Sequence, residues 1–311
     1  MKLRIGTRGS QLALWQANHI RDRLLAECEG VDEVEFEVIK TRGDIILDRT
    51  LSKVGGKGLF ITEIEDALLE GRVDLAVHSM KDMPAELPPG LVIAAIPERA
   101  NPLDAFVAPQ RSSLSDWHDL PQGAVVGTSS LRRTCQLLAA RPDLKVKPLR
   151  GNVDTRLRKL DDGEEGMVAI ILASAGLERL ALEHRISCQF DAEAMIPAVG
   201  QGALAIEAKS DNANVLAVLR TLDHEGTRYA TLAERAFLRR VEGSCQVPVG
   251  AYAQVDGKVL TMRAFVGDPD GSSIVCSKVE GAATDYVTLG EKVAEEVLEA
   301  GGRAILRDLL R

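Results

Sequence analysis

The feature that most constrains the fold is an alternation of strand and helix patterns that occurs twice, in the same order, in the first two thirds of the chain. In the first copy, strand patterns at 2–7, 34–41 and 73–79 are separated by helix patterns, and the same order returns between 124 and 173. Such alternation is typical of α/β domains. The sequence therefore predicts two copies of one α/β design.

The turns of the two copies also correspond. Gly-Thr-Arg-Gly-Ser at 6–10 ends the first strand of the first copy, and Gly-Thr-Ser-Ser at 127–130 ends the first strand of the second. Arg-Gly-Asp at 42–44 follows the second strand in one copy, and Arg-Gly-Asn at 150–152 follows it in the other. Equivalent turns at equivalent strand ends support the predicted duplication.

Two proline-containing segments, at 97–102 and 197–202, follow the two copies and are predicted crossovers. They indicate that the chain returns to its first domain after forming its second, with a ligand cleft between the two. The remaining third has a helix pattern, three strand patterns with hairpin turns at Asp256-Gly257 and Asp270-Gly271, and a closing helix at 288–310. We therefore predict three domains, at 1–98 with 202–221, at 103–197 and at 224–311.

Composition and charge argue against several classes of protein. The net charge of −8, from 38 basic and 46 acidic side chains, argues against nucleic-acid binding, which requires basic surfaces. No apolar run approaches the roughly 20 residues of a membrane helix, and the amino terminus lacks the apolar core of a secretory signal, so we expect a cytoplasmic protein. The five cysteines and five histidines are scattered without ligand spacing, so we expect neither a disulfide framework nor a metal site.

Basic side chains lie at the predicted start of a helix, where the helix dipole disfavours them. Arg132 and Arg133 follow a hydroxyl-rich turn, and Arg8 has the equivalent place in the first copy. Helix starts bind carboxylates and phosphates through free N–H groups, and a broken local rule often marks a functional site. The alternative is a serine cap followed by solvated arginines. The hydroxyl groups that would add donors belong to Thr128, Ser129 and Ser130.

More cations follow other strand ends, where open α/β sheets bind ligands. Arg150, Gly151 and Arg156 lie after the second strand of the second copy. Lys57 lies in a glycine-rich loop whose spacing differs from that of nucleotide-binding phosphate loops. Taken alone, this loop would be interpreted as flexible and solvated. Together, these segments predict a pocket for an anion that carries several carboxylates.

An ionisable cluster follows the strand pattern at 73–79. Asp82 is a candidate general acid or base, or a group that stabilises a developing cation. The alternative is a surface ion pair of Lys81 and Asp82 that contributes little to stability. His78 is a tempting base, but a lone histidine at the end of a buried strand is more often structural.

Cys245 differs from the other cysteines because its surroundings are typical of a loop. Gly243, Pro248 and Gly250 flank it, whereas Cys135 lies in a helix pattern. Accessible loop thiols can act as nucleophiles or as attachment points. The alternative is an ordinary thiol at a domain junction.

These segments resemble the porphobilinogen deaminase family along nearly the whole chain. The matching stretches are TRGSQLALWQ, TRGD, KVGGKGLF, DLAVHSMKDMP, LDAF in place of RDAF, VGTSSLRR, LRGNVDTRL, ILASAGLERL, PAVGQGALAIE, AERAFLRRVEGSCQVPVGAY and GDPDG. Their number and order make the resemblance specific. It implies an α/β fold with two domains like periplasmic solute-binding proteins, followed by a smaller α+β C-terminal domain that carries a cofactor loop.

The resemblance also implies a transferase that joins four porphobilinogen molecules head to tail into hydroxymethylbilane, with release of ammonia, in porphyrin and haem biosynthesis. It implies a dipyrromethane cofactor bound to Cys245 through a thioether, and it makes Asp82 the catalytic residue. A monomer is implied, with no metal, nucleic-acid or membrane partner. The positions that match residues binding acetate and propionate side chains are Arg8, Ser10, Lys81, Thr128, Ser129, Ser130, Arg132, Arg133, Arg150, Gly151 and Arg156, and Arg179 and Lys57 match further basic positions.

Two rival functions fit parts of the pattern. A two-lobed anion- or solute-binding domain would explain the basic pocket without catalysis. A cysteine acyltransferase would use Cys245, but no histidine lies near it in the sequence, and the basic pocket would have no purpose.

Overall fold

The computed structural model describes residues 1–45, 61–241 and 247–309. The chain forms two compact units, Met1–Ala100 with Ala203–Tyr229 and Asn101–Gly202 with Ala230–Arg311. The domain boundaries predicted from the sequence stay a prediction.

The first unit contains a five-stranded mixed sheet. Its strands are β1 (Lys2–Thr7), β2 (Glu33–Val38), β3 (Leu75–Ser79), β4 (Leu91–Ala95) and β10 (Leu204–Lys209), and its main helices are α1 (Gln11–Glu27), α2 (Arg42–Ile45), α3 (Thr62–Leu69) and α7 (Ala213–Leu219). The order across the sheet is β2-β1-β3-β10-β4. β1 is parallel to β2 and β3, whereas β10 is antiparallel to both of its neighbours.

Apolar side chains cover both faces of this sheet. Ile5 and Leu204 pack with Ile20 of α1 and Leu219 of α7 on one face. A second cluster, which includes Ile64 and Leu68 of α3, lies apart from the first. Because successive side chains of a strand point to opposite faces, a strand with helices on both sides is buried on both, as β3 is from Leu75 to His78.

The second unit contains a sheet of the same size. Its strands are β5 (Asp104–Val107), β6 (Val125–Gly127), β7 (Lys145–Lys147), β8 (Met167–Ala173) and β9 (Cys188–Gln189), and its helices include α4 (Leu131–Ala140), α5 (Val153–Asp161) and α6 (Ser174–Arg179). The order across the sheet is β7-β6-β8-β5-β9. β6 is parallel to β7 and β8, whereas β5 is antiparallel to β8 and β9.

The two sheets therefore share one strand order. In each, the fourth strand across the sheet is antiparallel, and it is the first strand formed after a crossover. β5 follows the crossover at 97–102, and β10 follows the crossover at 197–202. The duplication predicted from the sequence is confirmed by this shared topology.

The C-terminal part is a three-stranded antiparallel sheet with helices. The strands are β11 (Val249–Asp256), β12 (Val259–Gly267) and β13 (Ile274–Ala282), and the helices are α8 (Glu225–Arg240), α9 (Tyr286–Val297) and α10 (Arg303–Leu309). Both hairpin turns occur where the sequence predicts them. The closing helix, predicted as continuous over 288–310, is instead interrupted at Leu298–Gly302, where Gly301 has a φ of 124°. Two consecutive glycines allow this break, because Gly301 adopts a φ that other residues avoid.

The turn between β12 and β13 packs against α4. Gly271 has a φ of +73°, and a Cβ at this position would overlap the backbone nitrogen of Ala139. A Cβ on Gly267 would lie 2.5 Å from the Sγ of Cys135 on the same helix. This close packing explains why the C-terminal sheet belongs to the same compact unit as β5–β9. The predicted fold class, two α/β sheets with a smaller α+β C-terminal part, is confirmed.

Candidate active-site residues in the two units

In the first unit, Arg8 and Ser10 directly follow β1, at the edge formed by the carboxyl ends of the parallel strands. Ser10 is the N-cap of α1, and its hydroxyl oxygen accepts a hydrogen bond from the backbone N–H of Ala13 at 3.3 Å. Arg8 is half-buried in the preceding turn. The first turn of α1, all of which is described, holds no acidic side chain. This helix start therefore suits an anion.

Asp82 lies on a 3₁₀ turn that follows β3 at the same edge. Met80 and Met83, on either side, are buried and fix the turn to the unit. Lys81 is half-buried, and Asp82 is exposed. The turn therefore presents a carboxylate in the place where open α/β sheets bind ligands.

A buried ionisable cluster lies in the interior of the first unit. One ring nitrogen of His78 lies 3.1 Å from a carboxylate oxygen of Glu207 on β10, and both side chains are buried. Glu65 of α3 is also buried. Burial, together with the nearby carboxylate of Glu207, raises the pKa of Glu65 to about 7. His78 thus points into the protein, which favours its structural interpretation over a role as base.

In the second unit, a hydroxyl-rich turn links β6 to α4. Ser130 is the N-cap of α4 and accepts a hydrogen bond from the N–H of Arg133 at 3.4 Å. The Oγ1 of Thr128 accepts from the N–H of Ser130 at 3.2 Å, and the hydroxyl of Ser129 donates to the carbonyl of Leu149 at 2.8 Å. These bonds fix the shape of the turn.

Arg132 and Arg133 are buried, and both bind the carboxylate of Asp104, the first residue of β5. Arg132 donates to the two oxygens at 2.7 and 3.0 Å, and the Nε of Arg133 donates at 2.8 Å. Further donors reach the carbonyls of Ile196 at 2.7 Å and Ile171 at 2.8 Å. Although burial acts to raise it, the two guanidinium groups lower the pKa of Asp104 to about 2.

This arrangement explains how two cations can occupy the first turn of a helix. Asp104 supplies the opposite charge, so the arginines are not the solvated side chains of the alternative interpretation. Two guanidinium groups and one carboxylate leave one positive charge in the cluster. The Nε of Arg132 is buried and has no hydrogen-bond partner within the described part of the chain. The role of Arg132 and Arg133 in binding substrate carboxylates stays a prediction.

Arg150, Gly151 and Arg156 lie together after β7. The Nε of Arg156 donates to the carbonyl oxygen of Gly151 at 2.7 Å, so the side chain folds back over the turn. Gly151 has a φ of +115°, and a Cβ there would lie 2.6 Å from a methyl carbon of Thr155. Only glycine fits this position without strain.

Arg179 and Gln201 hold the second crossover in place. Arg179 ends α6 and donates to the carbonyl of Gly202 at 2.7 Å; burial lowers the pKa of Arg179 to about 10, so it stays charged at neutral pH. The amide of Gln201 donates to the carbonyl of Pro102 at 2.7 Å and to Asp104 at 3.1 Å. Gln201 thus links the second crossover to the end of the first crossover and to the start of β5.

The structure sorts the predicted site residues between the two units. Lys57 and Cys245 lie outside the described residues. The first unit holds Arg8, Ser10, Lys81 and Asp82, and the second holds Thr128, Ser129, Ser130, Arg132, Arg133, Arg150, Gly151, Arg156 and Arg179.

Sequence reasoning did not single out Asp104, Gln201 and Glu207, which are bonded to predicted residues or to one another. All three lie in or next to the strands that follow the crossovers. The stretches LDAF and PAVGQGALAIE, which contribute to the family resemblance, contain all three and were the available signal.

The fold and the residues at the strand ends define the class of protein. It is an α/β protein with two sheets of the same topology, whose strand ends carry basic and hydroxyl side chains. Residues 3–217 match a family model described as porphobilinogen deaminase, dipyromethane cofactor binding domain, and residues 229–299 match porphobilinogen deaminase, C-terminal domain. Because the first match alone covers more than half of it, the chain belongs to the porphobilinogen deaminase family, the transferases of tetrapyrrole biosynthesis. The description of the first match indicates that residues 3–217 form a domain that binds a dipyrromethane cofactor.

Comparison of structures gives more distant similarities. A methionine-binding protein is 14% identical with a TM-score of 0.45, covering 71% of this chain and 89% of its own. A lipoprotein of the YaeC family from Enterococcus faecalis is 15% identical with a TM-score of 0.42, covering 72% and 91%. A TRAP periplasmic solute-binding protein from Desulfovibrio salexigens is 12% identical with a TM-score of 0.42, covering 72% of each chain. The assignment of the fold rests on the sheet order, not on these scores.

Two kinds of feature are absent from the described residues. Among them, no helix has the length and apolar character needed to cross a bilayer. The same residues contain no group of three or more His, Cys, Asp or Glu side chains arranged to hold a metal ion.

Proposed function

We propose that the enzyme condenses four porphobilinogen molecules head to tail into hydroxymethylbilane, starting from a dipyrromethane cofactor held covalently on Cys245. Each condensation breaks the bond between the aminomethyl carbon and its nitrogen and releases ammonia. A carbon–carbon bond then forms to the α-carbon of the neighbouring pyrrole, which loses a proton. Hydrolysis finally releases the four-ring product, and water supplies its hydroxyl group. The observation that carries the proposal is an exposed Asp82 on a fixed turn, in a chain that matches a dipyrromethane-binding domain.

Asp82 is the proposed catalytic residue. Positive charge develops on the substrate pyrrole as ammonia leaves, and a carboxylate held close to that ring stabilises it. The buried Met80 and Met83 keep the turn fixed, so no energy is needed to bring the carboxylate into position during the reaction. Lys81, Arg8 and Ser10 at the same edge would bind substrate carboxylates.

The strand ends of the second unit are the proposed binding site for the acetate and propionate groups. Guanidinium, hydroxyl and backbone N–H donors suit carboxylates. The buried Nε of Arg132, which has no hydrogen-bond partner among the described residues, is a donor of this kind. The donor set therefore fits a dipyrromethane. When bound, the cofactor supplies the pyrrole to which the first substrate is joined. The basic residues of this unit that would hold it or the growing chain are Arg132, Arg133, Arg150, Arg156 and Arg179.

Cys245 is the proposed attachment point, and the other cysteines support this choice. Burial raises the pKa of Cys28 and Cys188, and it raises the pKa of Cys135 to about 12. Thiols of this kind form little thiolate and are poor nucleophiles. Cys276 on β13 is exposed and therefore serves as the control.

Intact-protein mass tests the attachment. Protein purified from cells that make porphobilinogen should be heavier than the bare chain by two linked pyrrole units. Cys245→Ser should lack the increment, and Cys276→Ser should keep it. A wild-type mass equal to the bare chain, or an increment that survives Cys245→Ser, would contradict the proposal.

Turnover tests the reaction. Asp82→Ala should lower kcat by about 10²–10³-fold, because it removes the group that stabilises the developing cation. Circular dichroism should show an unchanged fold, since Asp82 is exposed. Reversible binding of porphobilinogen by the wild-type protein, without ammonia release, would instead support a solute-binding protein.

A further inference from the structure

The pair of His78 and Glu207 is a part of the first unit that the proposed reaction does not use. On the antiparallel strands β3 and β10, His78 pairs with Ala205, and Ala76 pairs with Glu207. Since successive side chains alternate between faces, His78 and Glu207 lie on the same face of the sheet. Their side chains meet diagonally across the two strands at 3.1 Å.

The carboxyl group of this pair lies in the interior of the first unit. Glu207 is fully buried, and burying an unpaired carboxylate is costly. The titratable groups that face it among the described residues are His78 and Glu65, with Asp66 near Glu65 on α3. The raised pKa of Glu65 keeps that side chain largely protonated below pH 7. Among the described residues, the imidazole of His78 is the hydrogen-bond partner of the carboxyl group of Glu207.

The position of the pair relates it to the turn that carries Asp82. Ser79 pairs with Leu204, and the N–H of Met80 donates to the carbonyl of Ala203 at 3.0 Å. These are the last bonds between the two strands before the turn begins. The pair of His78 and Glu207 lies next to these contacts, at the end of β3 where the turn begins.

We propose that His78 is a positioning residue, whose bond to buried Glu207 fixes the end of β3 and thereby the orientation of the turn carrying Lys81 and Asp82. This role rests on the proposed function, because it gives Asp82 the catalytic task. Without the imidazole, the carboxylate of Glu207 would be buried unpaired, and the two strands would shift or admit water to relieve it. Asp82 would then be displaced from the reacting ring.

Steady-state kinetics of His78→Ala test the role. We expect kcat to fall by about 10- to 100-fold, because small displacements of a catalytic group have effects of that size. The KM for porphobilinogen should change by less than about twofold, since the proposed carboxylate-binding residues are untouched. A kcat that stays within twofold of wild type would overturn the proposal.

Further variants separate positioning from folding and from direct catalysis. His78→Gln keeps a donor for Glu207 and should recover most of the lost kcat; no recovery would indicate a direct catalytic role.

A double variant tests the pairing itself. H78A/E207A should lose no more kcat than H78A alone, because one bond can be lost only once, and additive losses would overturn the pairing. His118→Ala, which removes an exposed histidine bonded to Asp116, should leave kcat unchanged.

Two controls keep the result interpretable. If His78→Ala does not fold, the apolar pair H78L/E207L replaces it, because a buried polar pair can be exchanged for apolar side chains of the same kind of shape with little loss of stability. Its kcat should still fall by about tenfold or more, and a wild-type kcat would overturn the role. If the wild-type protein makes no linear tetrapyrrole, the proposed function fails; if it does and His78→Ala matches it, only the positioning role fails.

Discussion

The two sheets share a strand order, but they bury ionisable clusters of different composition. In the first unit, the cluster contains two carboxyl groups, Glu65 and Glu207, and one imidazole; in the second, two guanidinium groups share the single carboxylate of Asp104. In both, a carboxyl group comes from the antiparallel strand that follows a crossover. The shared topology thus sets where ionisable groups are buried, and the sequence sets which groups they are.

The largest effect is expected at Asp104, because the whole positive cluster depends on it. Asp104→Asn leaves two buried guanidinium groups without a countercharge, and loss of one partner from a buried ion pair costs about 3–5 kcal/mol. Urea denaturation should show this loss in the free energy of unfolding. Asp116→Asn, which removes an exposed carboxylate bonded to His118 in the same unit, should cost less than about 1 kcal/mol. Equal losses would break the comparison between buried and exposed pairs.

A smaller, pH-dependent effect is expected at Glu65. Its pKa is about 7 in the folded protein, against an ordinary value of 4.5, so the folded state holds its proton more tightly than the unfolded chain. The contribution of this group to the free energy of unfolding is greatest below pH 4.5. As the pH rises to about 7, the contribution falls by up to about 3 kcal/mol. Above pH 7, Glu65→Gln should therefore be more stable than wild type.

The measurement is the difference in urea midpoint between wild type and Glu65→Gln from pH 5 to 8. Asp66→Asn, the exposed neighbour on α3, is the matched control and should follow the wild type. A difference that does not grow with pH would show that the first unit does not bury uncompensated acid.

The smallest effect concerns a feature that the two units share. Ser10 and Ser130 each cap the helix that follows the first strand of their sheet. Ser10→Ala and Ser130→Ala should each lower the free energy of unfolding by about 1 kcal/mol. Ser113→Ala, at an exposed loop position, should have almost no effect. A loss in only one of the two cap variants would show that the two helix starts are not equivalent.

Local patterns were sufficient to predict much of the fold. Amphipathic periodicity placed α1 and α4 within a residue or two, and the Asp-Gly pairs placed both hairpin turns. The individual strands β5 and β10 were not predicted. β5 has only four residues, and β10 pairs with β3, more than 120 residues earlier in the chain, so no local pattern specifies the pairing. The interruption of the closing helix was missed because apolar periodicity continues on both sides of Gly301.

For the candidate site, the sequence predicted which types of residue lie at the strand ends, but not the contacts that these residues make. Motifs placed cations and hydroxyl groups at strand ends, and the structure confirms those places for the described residues. That Arg132 and Arg133 are buried against Asp104 could not be inferred, because charge compensation depends on contacts made only in the folded chain. For the same reason, the partner of His78 could not be identified from sequence.

The position of β10 has a consequence for synthesis of the chain on the ribosome. β10 lies between β3 and β4, so the sheet of the first unit stays open until Lys209 has emerged. The sheet of the second unit uses only residues from Asp104 to Gln189 and can close earlier. Until then, β3 presents an unpaired strand edge, which is a site for aggregation. The part of the enzyme made first is thus the part that finishes folding later.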